Sequence, residues 1–597
     1  MKPVASSAAS PQTPVPPTAA ADSAPAKTIP ASPWSRFREN AEAVIVAIVL
    51  ALIIRHYSLE AFEIPTGSMA PGLHGVHVVV QCPNCDTEDP IGIETDSVSG
   101  APRVDWASGL VYEGTCPECG ARVKDRTQRV GPTYCSHCRQ HRPSDPAGFR
   151  EADHGFSWLH AWRLIPKLNY AFIGAAVLVA LSVKRRSRMA LAWAVVAALM
   201  AYSAYGVYAR LLPKAAHIEN TCSECGFTYR SVYEPSDCLG GHKILVNKFL
   251  YQVREPRRWE VIVFKFNRQR NYIKRLLGLP GERIRIIDGD LWTARGAEPL
   301  RIERKPEWAQ DQLWFPVHDS NVVERGFVAA PAWNESSGWA SRDDSTVRQF
   351  NGLTSSVAMT YSRPITSRVA YNSARGGSPG APVFDLRIAA DVTVGGGDGD
   401  LELQIVNGNR LYRCVLPVAG SPSDPNRPRG MLVTYHPKGQ EVTELLAALP
   451  SDVALVQDRE YALDFYRADG ALVLRIDGTV VAEVAIPDTL RSNLAGETNT
   501  VRLVGHRVGG TLHRVRVFRD IFYTGNSPGR DPSNSLSKAT DSEYAIPEDG
   551  YFAMGDNSAS SLDSRNWGHL SRSNLLGRAF AIFWPGLPHR WEIGFIR

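Results

Sequence analysis

Three apolar runs stand out in a chain that is otherwise of mixed polarity. The first extends from Ala43 to Ile54, and the others occupy residues 168–183 and 189–209. With its flanking residues the first run is about long enough to cross a bilayer, so we predict a transmembrane anchor helix over residues 36–62. The other two runs predict a transmembrane helical hairpin over residues 168–209, because the turn between them is rich in Lys and Arg. A buried core helix and a soluble helical hairpin are the respective alternatives.

The charges of the hairpin turn predict an orientation. Short loops rich in Lys and Arg remain in the cytoplasm, which puts this turn on the cytoplasmic side. Residues 1–35 are rich in Ala, Pro and Ser and predict a disordered cytoplasmic tail. We therefore expect a multi-pass protein of the cytoplasmic (inner) membrane, with the lipid bilayer as a partner and most of the chain on the extracytoplasmic side.

Alternation of apolar and polar residues is typical of residues 306–540. Leu401, Leu403 and Ile405, for example, alternate with polar residues and lead into an Asn-Gly pair, which is a strong hairpin signal. The pattern predicts an inserted antiparallel β-sandwich. Its texture resembles a concanavalin-type jelly roll. Such folds often bind sugars, but a structural insertion is the preferred interpretation.

The length and net charge of the chain bear on the number of domains and on the kind of partner. A chain of 597 residues exceeds what one hydrophobic core can organise, so several domains are expected. The formal net charge of +5 is spread over this length and gives no reason to expect nucleic acid as a partner.

Eight of the ten cysteines form four Cys-x-x-Cys pairs, a pattern typical of structural zinc sites. The spacing between the second and third pairs fits one four-cysteine ribbon, which leaves the first and fourth pairs for another site. Sequential pairing and local disulfides are the alternatives. Structural zinc is the one cofactor expected, with none for catalysis, and its candidate ligands are Cys82, Cys85, Cys116, Cys119, Cys135, Cys138, Cys222 and Cys225.

Four short boxes carry the candidate chemistry. Residues 62–69, Phe-Glu-Ile-Pro-Thr-Gly-Ser-Met, directly follow the predicted anchor helix. Residues 257–266 are strand-like, and residues 271–281 read Asn-Tyr-Ile-Lys-Arg-Leu-Leu-Gly-Leu-Pro-Gly. Residues 550–565 contain Gly-Asp-Asn and then Ser-Leu-Asp-Ser-Arg. In this order the boxes resemble those of bacterial type I signal peptidases, which are membrane-bound endopeptidases with a serine/lysine dyad.

The resemblance implies a catalytic role for four residues. Ser68 matches the nucleophile, and Lys274 matches its general base. Thr66 matches the residue whose hydroxyl helps to form the oxyanion hole, a position where the family more often has serine. Ser561 matches the residue that orients the lysine amine. Structural positions near the site match Asp556, Asp563, Arg565 and Arg275.

The chemistry of a lysine base supports this interpretation. A serine hydroxyl needs a base to remove its proton, and lysine can serve only when it is neutral. Its pKa must therefore fall from about 10.4 toward about 7–8. The apolar neighbours of Lys274 would lower the pKa by desolvating the ammonium form.

The resemblance also implies the substrate. Signal peptides of exported preproteins would be cut after small residues, at the outer face of the cytoplasmic membrane, with the protein export machinery as a further candidate partner. An extended peptide could join the site as an added strand. The expected substrate-binding residues are Ile64, Pro65, Met69, Tyr272 and Ile273.

Three other functions compete with this one. A soluble serine/lysine autoprotease of the repressor type would share the dyad. A membrane scaffold built on zinc ribbons, or a carbohydrate-binding surface protein, would carry an inactive peptidase domain.

The expected fold class is a mostly β, signal-peptidase-like catalytic domain with an N-terminal transmembrane helix, a transmembrane helical hairpin and an inserted antiparallel β-sandwich. The predicted divisions are the tail (1–35), the anchor helix (36–62), the nucleophile segment (63–81), the Cys-x-x-Cys ribbon insertion containing the hairpin (82–238), the general-base segment (239–305), the sandwich insertion (306–540) and a third catalytic segment (541–597).

Overall fold

The computed structural model describes residues in both of the compact units into which the chain divides, 1–58 and 59–597. The described residues are 40–47, 49, 58–93, 111–115, 122–125, 127–129, 149–152, 216–233, 238–267, 270–324, 331–341, 347–375, 380–422, 427–490, 499–525, 543–584 and 594–596.

The predicted membrane-spanning elements need correction. Residues 40–47 and 49 are helical, but none of the described helices is long and apolar enough to cross a membrane. The anchor helix predicted over residues 36–62 is wrong, because its last residues form strand β1 (Leu59–Glu63). Burial alternates from residue to residue along β1, which is the period of a strand and not of a helix end. The hairpin predicted over residues 168–209 lies outside the described residues.

In the part of the larger unit that contains the Cys-x-x-Cys pairs, the described strands form short antiparallel ribbons. β2 pairs with β3, β4 lies between β5 and β7, and β9 lies between β6 and β8. These strands are β2 (His77–Gln81), β3 (Glu88–Gly92), β4 (Val111–Thr115), β5 (Arg122–Asp125), β6 (Thr127–Arg129), β7 (Phe149–Ala152), β8 (Ala216–Thr221) and β9 (Thr228–Tyr233).

The next stretch of chain is mostly β, with two short helices. In order along the chain its elements are β10 (Lys243–Asn247), α1 (Leu250–Val253), β11 (Val261–Asn267), β12 (Arg270–Gly278), β13 (Glu282–Ile287), β14 (Asp290–Arg295), β15 (Arg301–Ile302) and α2 (Glu307–Leu313).

A long all-β stretch follows. Its strands are β16 (Phe315–Asp319), β17 (Trp333–Glu335), β18 (Trp339–Ser341), β19 (Arg348–Asn351), β20 (Val357–Tyr361), β21 (Leu386–Asn407), β22 (Arg410–Pro417), β23 (Gly430–Tyr435), β24 (Val442–Ala447), β25 (Glu460–Ala468), β26 (Ala471–Ile476), β27 (Thr479–Ala485) and β28 (Asn499–Arg519). Its 3₁₀ helices are Ala370–Arg375, Pro437–Gly439 and Asp488–Leu490.

The last stretch returns to short strands. Its elements are β29 (Tyr544–Ala545), β30 (Gly550–Met554), a 3₁₀ helix (Ser558–Ser560), α3 (Ser564–Trp567), β31 (Leu570–Ser571), a 3₁₀ helix (Arg572–Asn574), β32 (Leu575–Trp584) and β33 (Gly594–Phe595).

Three distant stretches of chain build one sheet. Its strands lie in the order β1-β10-β32-β11-β12-β30-β31, with β33 paired to β32. The buried residues of β10 alternate with partly exposed ones, so that Ile244 and Val246 enter an apolar core together with Ile64, Met69 and Ile273. We call this the catalytic sheet, because the candidate residues described below lie on it or beside it.

The long stretch from β16 to β28 is held together by its two longest strands. β21 and β28 pair antiparallel along nearly their whole length, and the register shifts near Gly397. The first half of β21 also pairs with β25, and its second half pairs with β22. Side chains from both halves enter one apolar core, including Ile388, Leu403 and Val515. We call this layered body the sandwich.

The sandwich is joined to the rest of the chain by buried charges. Lys305, which precedes the sandwich, forms ion pairs through its Nζ with Asp469 and, at 2.8 Å, with Asp520. Helix α2 lies within the range predicted for the sandwich, yet its buried residues pack in a core that also contains residues of β12, β13 and β30. The chain is mostly β, as predicted, and the sandwich is firmly packed against the catalytic part.

Candidate active site

Ser68 lies in the tight turn that follows β1. A hydrogen bond from the Ala70 amide to the Gly67 carbonyl (3.1 Å) closes this turn. The next side chain, Met69, is fully buried in the apolar core of the catalytic sheet. Because the turn is anchored in this way, the Ser68 side chain has a fixed position, and Ser68 is only 7% exposed.

Lys274 projects from β12 toward the serine. Its Nζ lies 2.7 Å from Ser68 Oγ and 2.9 Å from the carbonyl oxygen of Ile273. Burial lowers the pKa of Lys274 to about 8, even though the nearby carboxylates of Asp563 and Asp556 raise it. At pH 7 about a tenth of the amine is therefore neutral and able to accept a proton, and at pH 8 about half.

Two buried ion pairs flank the lysine. Arg275 donates from Nε and Nη2 to both oxygens of Asp556, at 2.8 and 2.7 Å. Arg565 makes the same two-point contact with Asp563, also at 2.8 and 2.7 Å. Such paired geometry is the strongest arrangement for an arginine and a carboxylate. Each carboxylate near Lys274 thus has its own arginine.

Arg565 also ties together the loop that carries Ser561. Its Nη2 donates to the carbonyl oxygens of Ser558 (2.7 Å) and Ser561 (3.2 Å). Its Nη1 donates to the Thr524 carbonyl at 2.8 Å. Asp563 caps α3 by accepting from the Arg565 amide. The pair therefore fixes the loop from both sides.

Ser561 is fully buried and lies beside the Ser68 turn. Both residues approach Gly555, where an added Cβ would stand 2.3 Å from Ser561 Oγ and 2.3 Å from the Ser68 carbonyl oxygen. This crowding explains why glycine begins the Gly-Asp-Asn segment. The structure thus brings Ser68, Lys274 and Ser561 together.

The remaining predicted site residues differ in exposure. Thr66 and Pro65 are exposed on the turn, and Tyr272 is half-buried, with its ring 5.6 Å from Lys274 Nζ. Ile64 and Met69 are buried in the core of the catalytic sheet, as is Ile273, which is still 9% exposed. The two fully packed side chains support the turn from below and offer almost no surface to a ligand.

The sandwich reaches the serine turn through its 3₁₀ helix at residues 370–375. Asn372 and Asn557 exchange two side-chain hydrogen bonds, at 2.9 and 2.8 Å. Asn557 donates from its side chain to the Gly67 carbonyl (2.9 Å) and from its amide to the Ser68 carbonyl (3.0 Å). Both carbonyls of the nucleophile turn are therefore held by one asparagine, which is held in turn by the sandwich.

Tyr371 fills the space behind the same turn. An added Cβ at Gly67 would stand 1.8 Å from its ring, and one at Gly92 would stand 1.9 Å from it, so the ring lies between the two glycines. The Tyr371 hydroxyl donates to the Val76 carbonyl at 2.9 Å.

Sequence reasoning assigned no role to these three supporting residues. Asn557 stands inside a recognised box, next to Asp556, and could have been singled out there. Tyr371 and Asn372 lie in the insertion, nearly 300 residues after the nucleophile segment, and no local pattern marks them.

The cysteines form a second cluster away from the serine and lysine. Cys82, Cys85, Cys222 and Cys225 come together with their sulfur atoms within 4.8 Å of one another. The candidate ligands Cys116, Cys119, Cys135 and Cys138 lie outside the described residues.

Two parts of the chain are similar to a known family. Residues 233–319 and 471–584 match the family described as signal peptidase, peptidase S26. These residues include Lys274 and Ser561, and Ser68 lies before them. The match covers about a third of the chain, including the strand that carries Lys274 and the Gly-Asp-Asn box.

Particular relatives agree with this class over short segments. A probable signal peptidase I-2 of Synechocystis is 52% identical over 40 residues, which are 7% of this chain and 18% of the relative. Signal peptidase I of Aquifex aeolicus is 48% identical over 44 residues, 7% of this chain and 17% of the relative. Signal peptidase I of Pseudomonas aeruginosa is 30% identical over 118 residues, 17% and 41% of the respective chains. The chain therefore spans less than a fifth of the first two relatives, and the resemblance to type I signal peptidases is confirmed over short segments.

Solved structures with some likeness to the chain are very distant. A carbohydrate-binding module, CBM66 of Bacillus subtilis, aligns with a TM-score of 0.20 and 11% identity over 32% of this chain and 92% of its own. The lumenal domain of VIP36 aligns with a TM-score of 0.22 and 10% identity over 32% and 86%. Values this low support no conclusion about function.

Replacing Arg565 by Met should destabilise the fold strongly. The substitution leaves the Asp563 carboxylate buried without its arginine, and breaking a buried pair in this way costs about 3–5 kcal/mol. Urea unfolding followed by tryptophan fluorescence would measure the loss in the free energy of unfolding.

A matched surface pair provides the control for this measurement. Arg304 and Glu483 form an exposed ion pair, so Arg304→Met should cost no more than about 1 kcal/mol. Equal losses for the two variants would show that the buried pair does not fix the loop.

Proposed function

We propose that this chain is a serine endopeptidase that removes signal peptides from exported preproteins, with Ser68 as nucleophile and Lys274 as general base. The observation that carries the proposal is the 2.7 Å distance between Lys274 Nζ and Ser68 Oγ in a buried setting. The similarity of two segments to signal peptidases supports the same chemistry.

The neutral lysine has the correct hydrogen-bonding capacity for a base. A neutral amine has two hydrogens and one lone pair. One hydrogen is donated to the Ile273 carbonyl at 2.9 Å, which leaves the lone pair for the Ser68 hydroxyl. An aspartate paired directly with the amine would hold it protonated, but the two nearest carboxylates are each paired with an arginine.

The reaction then follows from these positions. Lys274 accepts the proton of Ser68 as Oγ attacks the scissile carbonyl carbon, and a tetrahedral oxyanion forms. The protonated amine donates to the leaving nitrogen, the C–N bond breaks, and the acyl group stays on Ser68 as an ester. A water molecule, deprotonated by Lys274, attacks this ester and releases the signal peptide with Ser68 restored.

The oxyanion requires donors that are in place before the reaction. The Ser68 amide and the exposed Thr66 hydroxyl are the expected donors, and one such donor contributes about 3–4 kcal/mol to transition-state stabilisation. Asn557 contributes indirectly, because it holds the Gly67 and Ser68 carbonyls and so fixes the direction of the turn.

The edge of β12 is a suitable docking place for an extended peptide. β12 pairs with β30 only from Arg275 onward, so in the described part of the chain residues 270–273 have a neighbouring strand on one side alone. A peptide added there as a strand would bring its carbonyl groups past Lys274.

The serine–lysine pair can be tested by mutation. Ser68→Ala should abolish cleavage of a preprotein with an Ala-x-Ala site, because no acyl-enzyme can form. Lys274→Met should lower kcat/KM by about 10²–10⁴-fold, the usual contribution of a general base. Cleavage is measured by gel shift and by mass spectrometry of the new N-terminus.

Lys265 offers a matched lysine for comparison. It lies exposed on β11, the strand adjacent to β12, and Lys265→Met should retain full activity. If Lys274→Met cleaves the preprotein as fast as Lys265→Met, the pair is not the catalytic group.

The pH dependence should report the state of Lys274. Below its pKa of about 8 the amine is protonated and cannot accept the serine proton. We expect kcat/KM to rise with pH, about tenfold per unit on the acidic side, and to level off above about pH 8. A profile that is flat between about pH 6 and pH 9 would contradict a lysine base with this pKa.

Asn372 should act as a positioning residue. Asn372→Ala removes both contacts with Asn557, so the nucleophile turn is held less firmly and kcat should fall about tenfold or more. KM should change little, because Asn372 does not line the proposed peptide edge. Asn334→Ala, at an exposed position of the sandwich, is the control, and an equal kcat in the two variants would rule out the positioning role.

A further inference from the structure

The four clustered cysteines are held in two equivalent turns. In the first, the Cys82 amide donates to the Thr87 carbonyl (2.8 Å) and the Asp86 amide to the Cys82 carbonyl (2.9 Å). In the second, Cys222 donates to Phe227 at 2.9 Å and Gly226 to Cys222 at 3.2 Å. The residue after the second cysteine has a positive φ in both turns, 60° at Asp86 and 69° at Gly226. The two Cys-x-x-Cys turns thus repeat the same backbone pattern.

The sulfur atoms of the two turns face one another at a distance that suits a metal ion. Cys82 Sγ lies 3.6 Å from Cys225 Sγ, and Cys85 Sγ lies 3.6 Å from Cys222 Sγ. A disulfide needs about 2.0 Å, and none of the four is in a disulfide. Four thiolates at about 2.3 Å from a tetrahedral zinc ion are about 3.8 Å apart. All four cysteines are buried.

We propose that Cys82, Cys85, Cys222 and Cys225 bind one Zn²⁺ ion in a closed structural site. The ion joins the β2–β3 hairpin to the β8–β9 hairpin, which are separated by more than 120 residues of chain. With four protein ligands it has no open position for water or substrate, so it takes no part in a reaction. This pairing of the first and fourth Cys-x-x-Cys turns excludes sequential pairing of the first with the second.

The surroundings of the cluster already join the two hairpins. Asp89 of β3 accepts a hydrogen bond from the Ser223 hydroxyl (2.5 Å) and one from Asn220 Nδ2 (3.1 Å). Arg368 of the sandwich donates to the Thr221 carbonyl at 2.5 Å. A zinc ion in this place would therefore complete a packed junction between the ribbons and the sandwich.

Metal analysis of the full-length chain tests the proposal. Zinc per chain is measured by plasma mass spectrometry for the parent, for Cys82→Ser combined with Cys222→Ser, and for Cys414→Ala. Cys414 is buried in the sandwich core and is the matched control. We expect the double variant to hold one zinc ion fewer than the parent and the control to hold the same number. This difference does not depend on whether cysteines outside the described residues bind another ion.

A second measurement avoids variants that fail to fold. In the native parent chain, iodoacetamide labelling read at each cysteine by mass spectrometry should leave all four ligands unmodified until a chelator is added. Cys414 should stay protected both with and without the chelator, since its protection comes from packing alone. Equal zinc content in parent and double variant, labelling of the four cysteines before the chelator is added, or an intact disulfide at Cys82 would each overturn the proposal.

Discussion

The candidate site depends on keeping one amine out of water, which favours its uncharged form. Lys274 is buried, and this desolvation outweighs the attraction of Asp556 and Asp563, so its pKa falls to about 8. Unpaired carboxylates at those positions would hold the amine protonated. Arg275 and Arg565 each pair with one of these carboxylates in a two-point contact. The carboxylates can therefore hold the loops in place without keeping Lys274 protonated.

This arrangement explains why buried ion pairs stand so close to an apolar strand. A buried pair is costly to desolvate and is weak evidence for stability by itself. Here each ion pair joins different segments of the chain around the site. Arg275 joins β12 to the Gly-Asp-Asn segment, whereas Arg565 reaches Thr524 at the end of the sandwich and Ser561 in the adjacent loop. The sandwich is thus part of the scaffold of the site, and Tyr371 and Asn372 extend the same role to the nucleophile turn.

The sequence was a more reliable guide to which residues come together than to the secondary structure that carries them. The boxes around Ser68, Lys274 and Ser561 were recognisable because each is a short, continuous pattern, and the structure brings these residues together. The hairpin predicted at the Asn-Gly pair is present between β21 and β22, with Asn407 as the last residue of β21 and Gly408 and Asn409 in the turn. The helix predicted to residue 62 was wrong because the residues after the apolar run were added to reach a spanning length, whereas burial along Leu59–Glu63 alternates with the period of a strand.

Other features could not be predicted, because they depend on contacts between distant parts of the chain. Ile64 and Met69 were expected to bind substrate, but packing against β10 and β11 buries them. The pairing of Asn372 with Asn557 spans 185 residues, and neither residue carries a pattern that predicts the other. The spacing of the cysteines left several pairings open, and only the folded hairpins bring the first and fourth pairs into contact.

The ribbons and the nucleophile turn both pack against the side chain of Tyr371. The Tyr371 ring lies between Gly67, next to Ser68, and Gly92, at the end of β3, so its position depends on both. β3 is in turn joined to the second cysteine turn through Asp89 and Ser223. A displacement of β3 would therefore reach Gly67 through this packed ring, because a close-packed interior transmits strain. A second route runs through Val76, which accepts a hydrogen bond from the Ile93 amide (3.0 Å) and donates one to the Pro65 carbonyl (3.4 Å). The position of the serine turn thus depends on the position of β3, and the cysteine cluster lies where it can hold β3 in place.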